Sequence, residues 1–362
     1  MEADLIVCAT GRATPLGRWL AAIGAGPIAE ERAECGLTHY SRHYRLRSGL
    51  VLPAGPWMLG GPRGETPGFS FAVFPGDNRT FSLMQTVRAD DRALHNLHQE
   101  NAFTTAASAQ APLGPFLECA DPITPVRQMG RLHSQWRSLV AGGHPAVLGL
   151  HLVGDVQCHT NPVYGHGASD AVSHAHHLAQ IVDQHPDLRD QALAYDVAVS
   201  TNTRTRFQVA AVEDRDRLRH WTGELTEGDI TPDRSIALYQ RHVIYPAAAC
   251  DPILARAVCR QINLLDPGDS LQHNPEILAR AARAAPHLAQ PPCPPAPSCC
   301  TGLTPVTASK SGGEPLTERL GACAQTPFLP GADRHGLGPI PAPARACRCV
   351  LAVSFMLSND HS

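Results

Sequence analysis

The 362-residue chain is expected to adopt an α/β fold, in which a Rossmann-like parallel sheet is interrupted by an inserted antiparallel sheet and followed by helices. Three observations predict this. First, two short apolar runs, Leu5-Ile6-Val7-Cys8-Ala9 and Ala146-Val147-Leu148-Gly149-Leu150-His151-Leu152-Val153, each lead into a glycine turn, at Gly11 and Gly154, as buried parallel strands do. Second, between them Phe69-Ser70-Phe71-Ala72-Val73-Phe74 and Thr80-Phe81-Ser82-Leu83-Met84 flank Pro75-Gly76-Asp77-Asn78-Arg79, a strong antiparallel hairpin signal. Third, long helical patterns follow over residues 167–184 and from 188 to about 221. Parallel strand, antiparallel insertion, parallel strand and helices together fit a dinucleotide-binding sheet with a substrate-covering sheet inserted into it.

The remaining elements follow from local chemistry. After the first strand a helix is expected over 15–23, with Thr14 as N-cap and Pro15 at the first helical position. Alternation over 36–46, including Tyr40, Tyr44 and Leu46, suggests a strand with one polar face; Arg42 and Arg45 in it are candidate ligands for phosphate or substrate, with solvent-facing positions the default. A helix is expected over 90–106, burying Ala93, Leu94, Leu97 and Phe103, and another strand over 126–132. The run Glu213-Asp214-Arg215-Asp216-Arg217 reads as a salt-bridged helix surface. On the first long helix His174 and His177 share a face while His176 points elsewhere, with no carboxylate or thiol to complete a ligand set, so packing is favoured over a metal site. The expected division is a parallel-sheet domain from residues 1–30 and 140–185, an antiparallel domain over 31–139, C-terminal helices over 186–286, and a disordered Pro/Cys-rich tail over 287–362.

Composition narrows the function classes. A formal charge of −3 lacks the basic excess that phosphate-backbone binding needs, so nucleic acid is not an expected partner. No stretch reaches the roughly 18 consecutive apolar residues of a membrane helix, and the first residues carry no secretory pattern, so a cytoplasmic protein is expected. Six of the 12 cysteines cluster at Cys293, Cys299, Cys300, Cys323, Cys347 and Cys349, and no CxxC pair supports a zinc or redox motif.

The chemistry concentrates in Gly154-Asp155-Val156-Gln157-Cys158-His159-Thr160-Asn161-Pro162-Val163-Tyr164-Gly165-His166-Gly167. An acidic residue stands at the carboxyl end of a strand, then comes a loop shaped by proline and glycine, then a helix start. Asp155 can accept hydrogen bonds from ribose or ribityl hydroxyls, and Gly165 and Gly167 let backbone N–H groups approach a ring closely. His159, Tyr164 and His166 lie in the same loop, either toward a substrate or simply as partly exposed loop residues.

This segment resembles the GD motif of the FAD-dependent monooxygenases related to p-hydroxybenzoate hydroxylase, and Ala9-Thr10-Gly11 is similar to the ATG motif of the wider glutathione-reductase-like flavoproteins. The resemblance spans residues 3–285. It implies an FAD-dependent oxidoreductase of monooxygenase type acting on a small organic substrate, with NAD(P)H or a separate reductase as electron donor. By the same resemblance Asp155, beside Gly154, binds the ribityl chain. Pro162, Gly165, His166 and Gly167 line the isoalloxazine ring, and Gly11 approaches the phosphates. No catalytic acid or base is named, because the flavin carries the chemistry. Two departures stand out. The family's glycine-rich GxGxxG unit and its ribose carboxylate have no counterpart, so the sequence reads as an N-terminally shortened relative, with a non-catalytic remnant as the alternative. Around the first motif Thr10, Thr14 and Arg18 stand where hydroxylases that use NADPH carry Asp, Ser and, one position earlier, Arg.

Overall fold

The computed structural model describes residues 4–55 and 61–288. Apart from residues 287 and 288, the expected disordered tail lies outside them. The parallel pair is present: β1 (Ile6–Cys8) runs beside β12 (Leu150–Leu152), with Ile6 opposite Leu150 and Cys8 opposite Leu152. Full burial of β1 was the expectation, yet Ile6 and Val7 are 56% and 49% exposed. The reason is local. Among the described residues β1 pairs with β12 alone, and they cover only its Cys8 end, through Leu16 and Leu20 of α1 (Leu16–Ala22) together with Leu152 and Val156. Thr14 does not cap α1. Its hydroxyl donates to the Gly11 carbonyl at 2.6 Å and meets the Thr10 hydroxyl at 2.6 Å, closing the turn after β1 while Pro15 takes the cap position.

The inserted part is two antiparallel sheets. In the smaller, β9 (His133–Ser138) lies between β2 (Ala29–Glu34) and β13 (Cys158–His159). In the larger, β3 (Leu37–Leu46) pairs with β6 (Thr80–Arg88). Beyond β6 come β5 (Phe69–Pro75) and β4 (Arg63–Thr66), and β7 (Ala120–Pro122) and β8 (Arg127–Met129) share the other edge of β3. The hairpin lies where the turn signal put it, with Asn78 and Arg79 both at positive φ. One face of this sheet packs its core, Tyr40, Tyr44, Phe69, Phe81 and Leu83, against Leu94, Leu97 and α2 (Glu100–Ser108), with Tyr44 and Phe81 stacked at 5.2 Å. The chain continues through α3 (Gly114–Glu118).

Two expectations fail here. The α-helix expected over 90–106 starts only at Glu100; before it the Asp91 side chain accepts from the backbone N–H groups of Ala93 and Leu94 and a single 3-10 turn runs over His95–His98, with Ala93 exposed. Strand β3 does not present both arginines to solvent, because Arg42 shares the buried side of Tyr40 and Tyr44 while Arg45 lies on the other. Arg42 is buried, donating to Glu100 and to the Thr124 carbonyl, and is no free anion ligand. Arg45 is exposed, as expected.

A hairpin of β10 (Val140–Ala141) and β11 (His144–Pro145) leads into β12. The long helices have the expected bounds, α4 (Gly167–Gln184) and α5 (Leu188–Trp221), the second started by Asp187, whose carboxylate accepts from the N–H groups of Arg189 and Asp190. A second core follows in α6 (Ile236–Tyr239), a π turn over Gln240–Ile244, α7 (Tyr245–Ala247), α8 (Pro252–Ile262) and α9 (Pro275–Leu288).

Helix α5 spans the molecule and touches both inserted sheets. Its closest approach is at Gly36, between β2 and β3, where φ is +63° and a Cβ would stand against Leu218 Cδ1 inside contact distance. Strain and overpacking therefore add, and Gly36→Ala is expected to lower unfolding stability by about 1–3 kcal/mol in urea titration; an unchanged midpoint would refute the close fit.

Candidate cofactor-binding corner

The carboxyl ends of β1 and β12 meet, with the Val153 N–H donating to the Cys8 carbonyl at 2.9 Å. The chain then turns at Gly154, φ +73°, whose N–H donates to Nδ1 of His174 at 3.1 Å. Nδ1 is thereby the acceptor, so Nε2 carries the proton and donates to the Thr203 hydroxyl at 3.0 Å. Burial, aided by Arg206, pushes His174 down to about 4, so the ring is a neutral strut between the turn, α4 and α5. The packing reading of this histidine is what the geometry shows. His176 is exposed and His177 half-buried.

Asp155 follows, half-buried, and its side chain makes no hydrogen bond among the described residues. Burial raises its carboxyl above the ordinary value, with Arg12 opposing. It faces the start of α4, where a Cβ on Gly167 would stand 3.5 Å from Asp155 Oδ1. Residues 167–169 are exposed, so the unpaired first-turn amides and the positive end of an 18-residue helix open toward solvent beside that carboxylate. Gly11 and Gly165, at φ +81° and +70°, each have open space within 4 Å of where a Cβ would stand. Farther into α4, Asp170 is buried and paired with Arg206.

Between Asp155 and α4 the loop is tightly held. The Asn161 carbonyl oxygen of the side chain accepts from Val163 N–H at 3.2 Å, and Pro162 begins a single 3-10 turn that ends on Gly165. The Tyr164 hydroxyl donates to Asp214 at 2.8 Å, and its ring lies 6.4 Å from that of half-buried His166. Burial and Arg206 hold His166 down at about 4, and burial with Asp214 holds the Tyr164 phenol well above its ordinary value, so both are uncharged near neutrality. His159 is not a loop residue. It is buried in β13, where Nδ1 donates to the Asp155 carbonyl and fixes the turn from below.

The structure therefore brings Gly154, Asp155 and Gly167 directly together, sets Gly11 at the adjoining strand end, and joins Pro162, Gly165 and His166 to them through one short loop. Sequence reasoning missed Arg12, which faces Asp155, and His174 in its supporting role. It also placed the run 213–217 on the surface. Glu213, Asp214, Asp216 and Arg217 are in fact buried, Asp214 and Arg217 at 1% exposure, and only Arg215 of the run projects outward. A signal existed: Phe207, Ala210, Asp214, Arg217 and Trp221 recur at helical spacing, a buried stripe that includes charged residues.

The corner fits the ribityl and ring portions of a flavin. A half-buried carboxylate without a protein partner accepts hydroxyls, and the glycines and open helix start accommodate a flat ring with an electron-rich edge. A separate groove of about 620 Å³ lies between β2, β9, β10 and α5. Its charges are engaged with one another, Glu31 with Arg204 and Asp196 with Ser138 and Ser200, and the Arg204 guanidinium covers the Trp136 ring at 4.8 Å.

No protein-family model matches the chain. Among curated proteins it is similar to Protein Rv3254 of Mycobacterium tuberculosis, 25% identical over 279 residues that make up 74% of this chain and 54% of that protein. The chain thus spans about half the length of the curated relative it matches. Its solved neighbours include the flavin-dependent brominase Bmp2 (16% identity, TM-score 0.48, 79% of this chain and 64% of that one). They include the myxobacterial chondrochloren halogenase CndH, an FAD-dependent halogenase (17%, TM-score 0.46, 80% and 63%), and HpxO of Klebsiella pneumoniae complexed with FAD and uric acid (13%, TM-score 0.39, 78% and 60%). Among the described residues no helix is long and apolar enough to cross a membrane.

Proposed function

We propose that this chain contributes the flavin-facing part of an FAD-dependent oxidoreductase of monooxygenase type, acting on a small organic substrate with NAD(P)H or a reductase as electron donor. The observation that carries the reading is Asp155, a half-buried carboxylate whose side chain makes no hydrogen bond among the described residues, set where two parallel strands end and an 18-residue helix begins. A bound flavin would supply the redox chemistry. The chain's own residues bind and orient: Asp155 accepts a ribityl hydroxyl, Gly165 and Gly167 admit the ring, and the first turn of α4 faces its pyrimidine edge. Tyr164 and His166, both neutral, form an uncharged wall beside it. Titrating riboflavin, FMN and FAD into the purified chain while following flavin fluorescence tests this. Saturable binding of all three supports the corner as the site, and a gain from riboflavin to FAD measures how far the adenosine end is also held. The alternative is a chain of this fold that holds no flavin, a reading to which the exposure of Ile6 and Val7 lends support. It predicts no saturable binding of any of the three.

A further inference from the structure

We propose that Asp214 is the positioning residue of the loop at 161–167. Its consequence for a bound ring rests on the flavin reading, whereas its hold on the loop does not.

Three donors converge on one oxygen, Asp214 Oδ1: the Asn161 side-chain amide at 3.0 Å, the Tyr164 hydroxyl at 2.8 Å and Arg217 Nη1 at 3.1 Å. Two of them belong to the loop and bracket its 3-10 turn. The other oxygen, Oδ2, is buried with no hydrogen-bond partner among the described residues, so Oδ1 is the one side-chain atom of α5 that gathers both loop donors, beside a longer 3.3 Å contact of the Tyr164 hydroxyl with the Ala210 carbonyl. Directions along the chain of bonds are fixed. Asn161 Oδ1 already accepts from Val163 N–H, so it is also the acceptor facing His39, whose Nε2–H donates at 2.9 Å while its Nδ1 accepts from the Thr86 hydroxyl at 2.7 Å. Burial keeps His39 neutral, down at about 4.

On its other side Asp214 is held by Arg217, which also donates to Glu213 at 2.9 Å. Glu213 accepts from Arg241 of the π turn at 3.0 Å. Arg241 in turn pairs with Glu65 of β4, which also accepts from the Trp221 indole at 2.9 Å. The loop that carries Gly165 and His166 is thus fixed from two sides, by β3 and β6 through His39 on Asn161 and by the C-terminal helices through Arg241, Glu213 and Arg217 on Asp214. A helix-surface aspartate could do none of this.

Hydrogen–deuterium exchange of the loop amides, read in the full chain without ligand, tests the claim. Asp214→Asn keeps the shape but loses the charge that gathers three donors, and Tyr164→Phe removes one donor alone. Both are expected to speed exchange of the 163–166 amides by about tenfold or more, since a hydrogen bond to a charged group is lost in each case. Arg215→Ala, on the exposed side of the same turn, is expected to change nothing. If Asp214→Asn fails to fold, Tyr164→Phe decides. Loop exchange within twofold of the parent in a folded variant would overturn the proposal. The same variants titrated with riboflavin separate the two ideas: faster exchange with weaker riboflavin binding supports both, faster exchange in a chain that never bound riboflavin leaves Asp214 as the loop's anchor and sinks the flavin reading.

Discussion

Replacing Arg217 with methionine is expected to destabilise the chain by about 3–5 kcal/mol, the cost of leaving a buried carboxylate without its counter-charge. The substitution keeps most of the side-chain volume, so the loss is electrostatic more than a matter of packing. Glu213 would retain Arg241, and Asp214 would retain Asn161 and Tyr164, but neither of those carries charge. Burial already raises both carboxyls above their ordinary values with Arg217 holding them down, so its removal drives Asp214 toward its protonated form. Adding Asp214→Asn to Arg217→Met should therefore restore part of the loss, a coupling visible in a double-mutant cycle. The measurement is the urea midpoint and slope of the parent, the two single variants and the double. A solvent-exposed ion pair would cost less than about 1 kcal/mol, and a loss that small would mean the run 213–217 is a helix surface after all.

Acidification is the second large effect. His39, His159 and His174 are buried, and burial holds each down at about 4 from an ordinary 6.5. A base whose folded pKa is depressed contributes stability that is complete above the unfolded value and is lost as pH falls through the folded one, so this contribution drains away between pH 6.5 and about 4. At full count one such histidine is worth about 3 kcal/mol. The buried carboxylates Asp170, Glu213 and Asp214 act in the opposite sense, since their raised values favour the folded state as the pH drops. Glu65 joins the histidines only lower down. Burial alone would raise it, but Arg241 and Arg217 outweigh burial and hold it at about 2, so its contribution is lost between about 4.5 and 2. In the unfolded chain the histidines titrate between pH 7 and pH 4.5, above the ordinary carboxylate range, and urea midpoints should fall over that interval. Stability that is flat or rising over that interval would contradict the burial assigned to these rings.

What was legible in the sequence was whatever obeys a hydropathy period or a local cap. The strands around Ile6 and Leu150, the 75–79 turn and both long helices are of this kind, and so is Asp155 at its strand end. The smaller sheet was not. Strand β2 reads Ala-Glu-Glu-Arg-Ala-Glu and β9 reads His-Ser-Gln-Trp-Arg-Ser, so its buried positions are alanines and polar residues that satisfy one another across strands. At Asp214 the helical stripe from Phe207 to Trp221 was legible but its polar partners were not. Charge looks like surface to a periodicity argument, and only the fold brings Asn161, Tyr164 and His39 within reach. Arg12 and His174 escaped notice because their partners, Asp155 and Gly154, lie far away along the chain.

The central claim is that the corner at Asp155 holds a flavin, and the direct measurement is riboflavin affinity in the parent chain and in Asp155→Ala, by fluorescence quenching at neutral pH. Losing a hydrogen bond to a charged acceptor should weaken binding by about tenfold or more, with the melting temperature little changed because the Asp155 side chain makes no hydrogen bond among the described residues. Equal affinity in the two chains, or no saturable binding in the parent, would contradict the account.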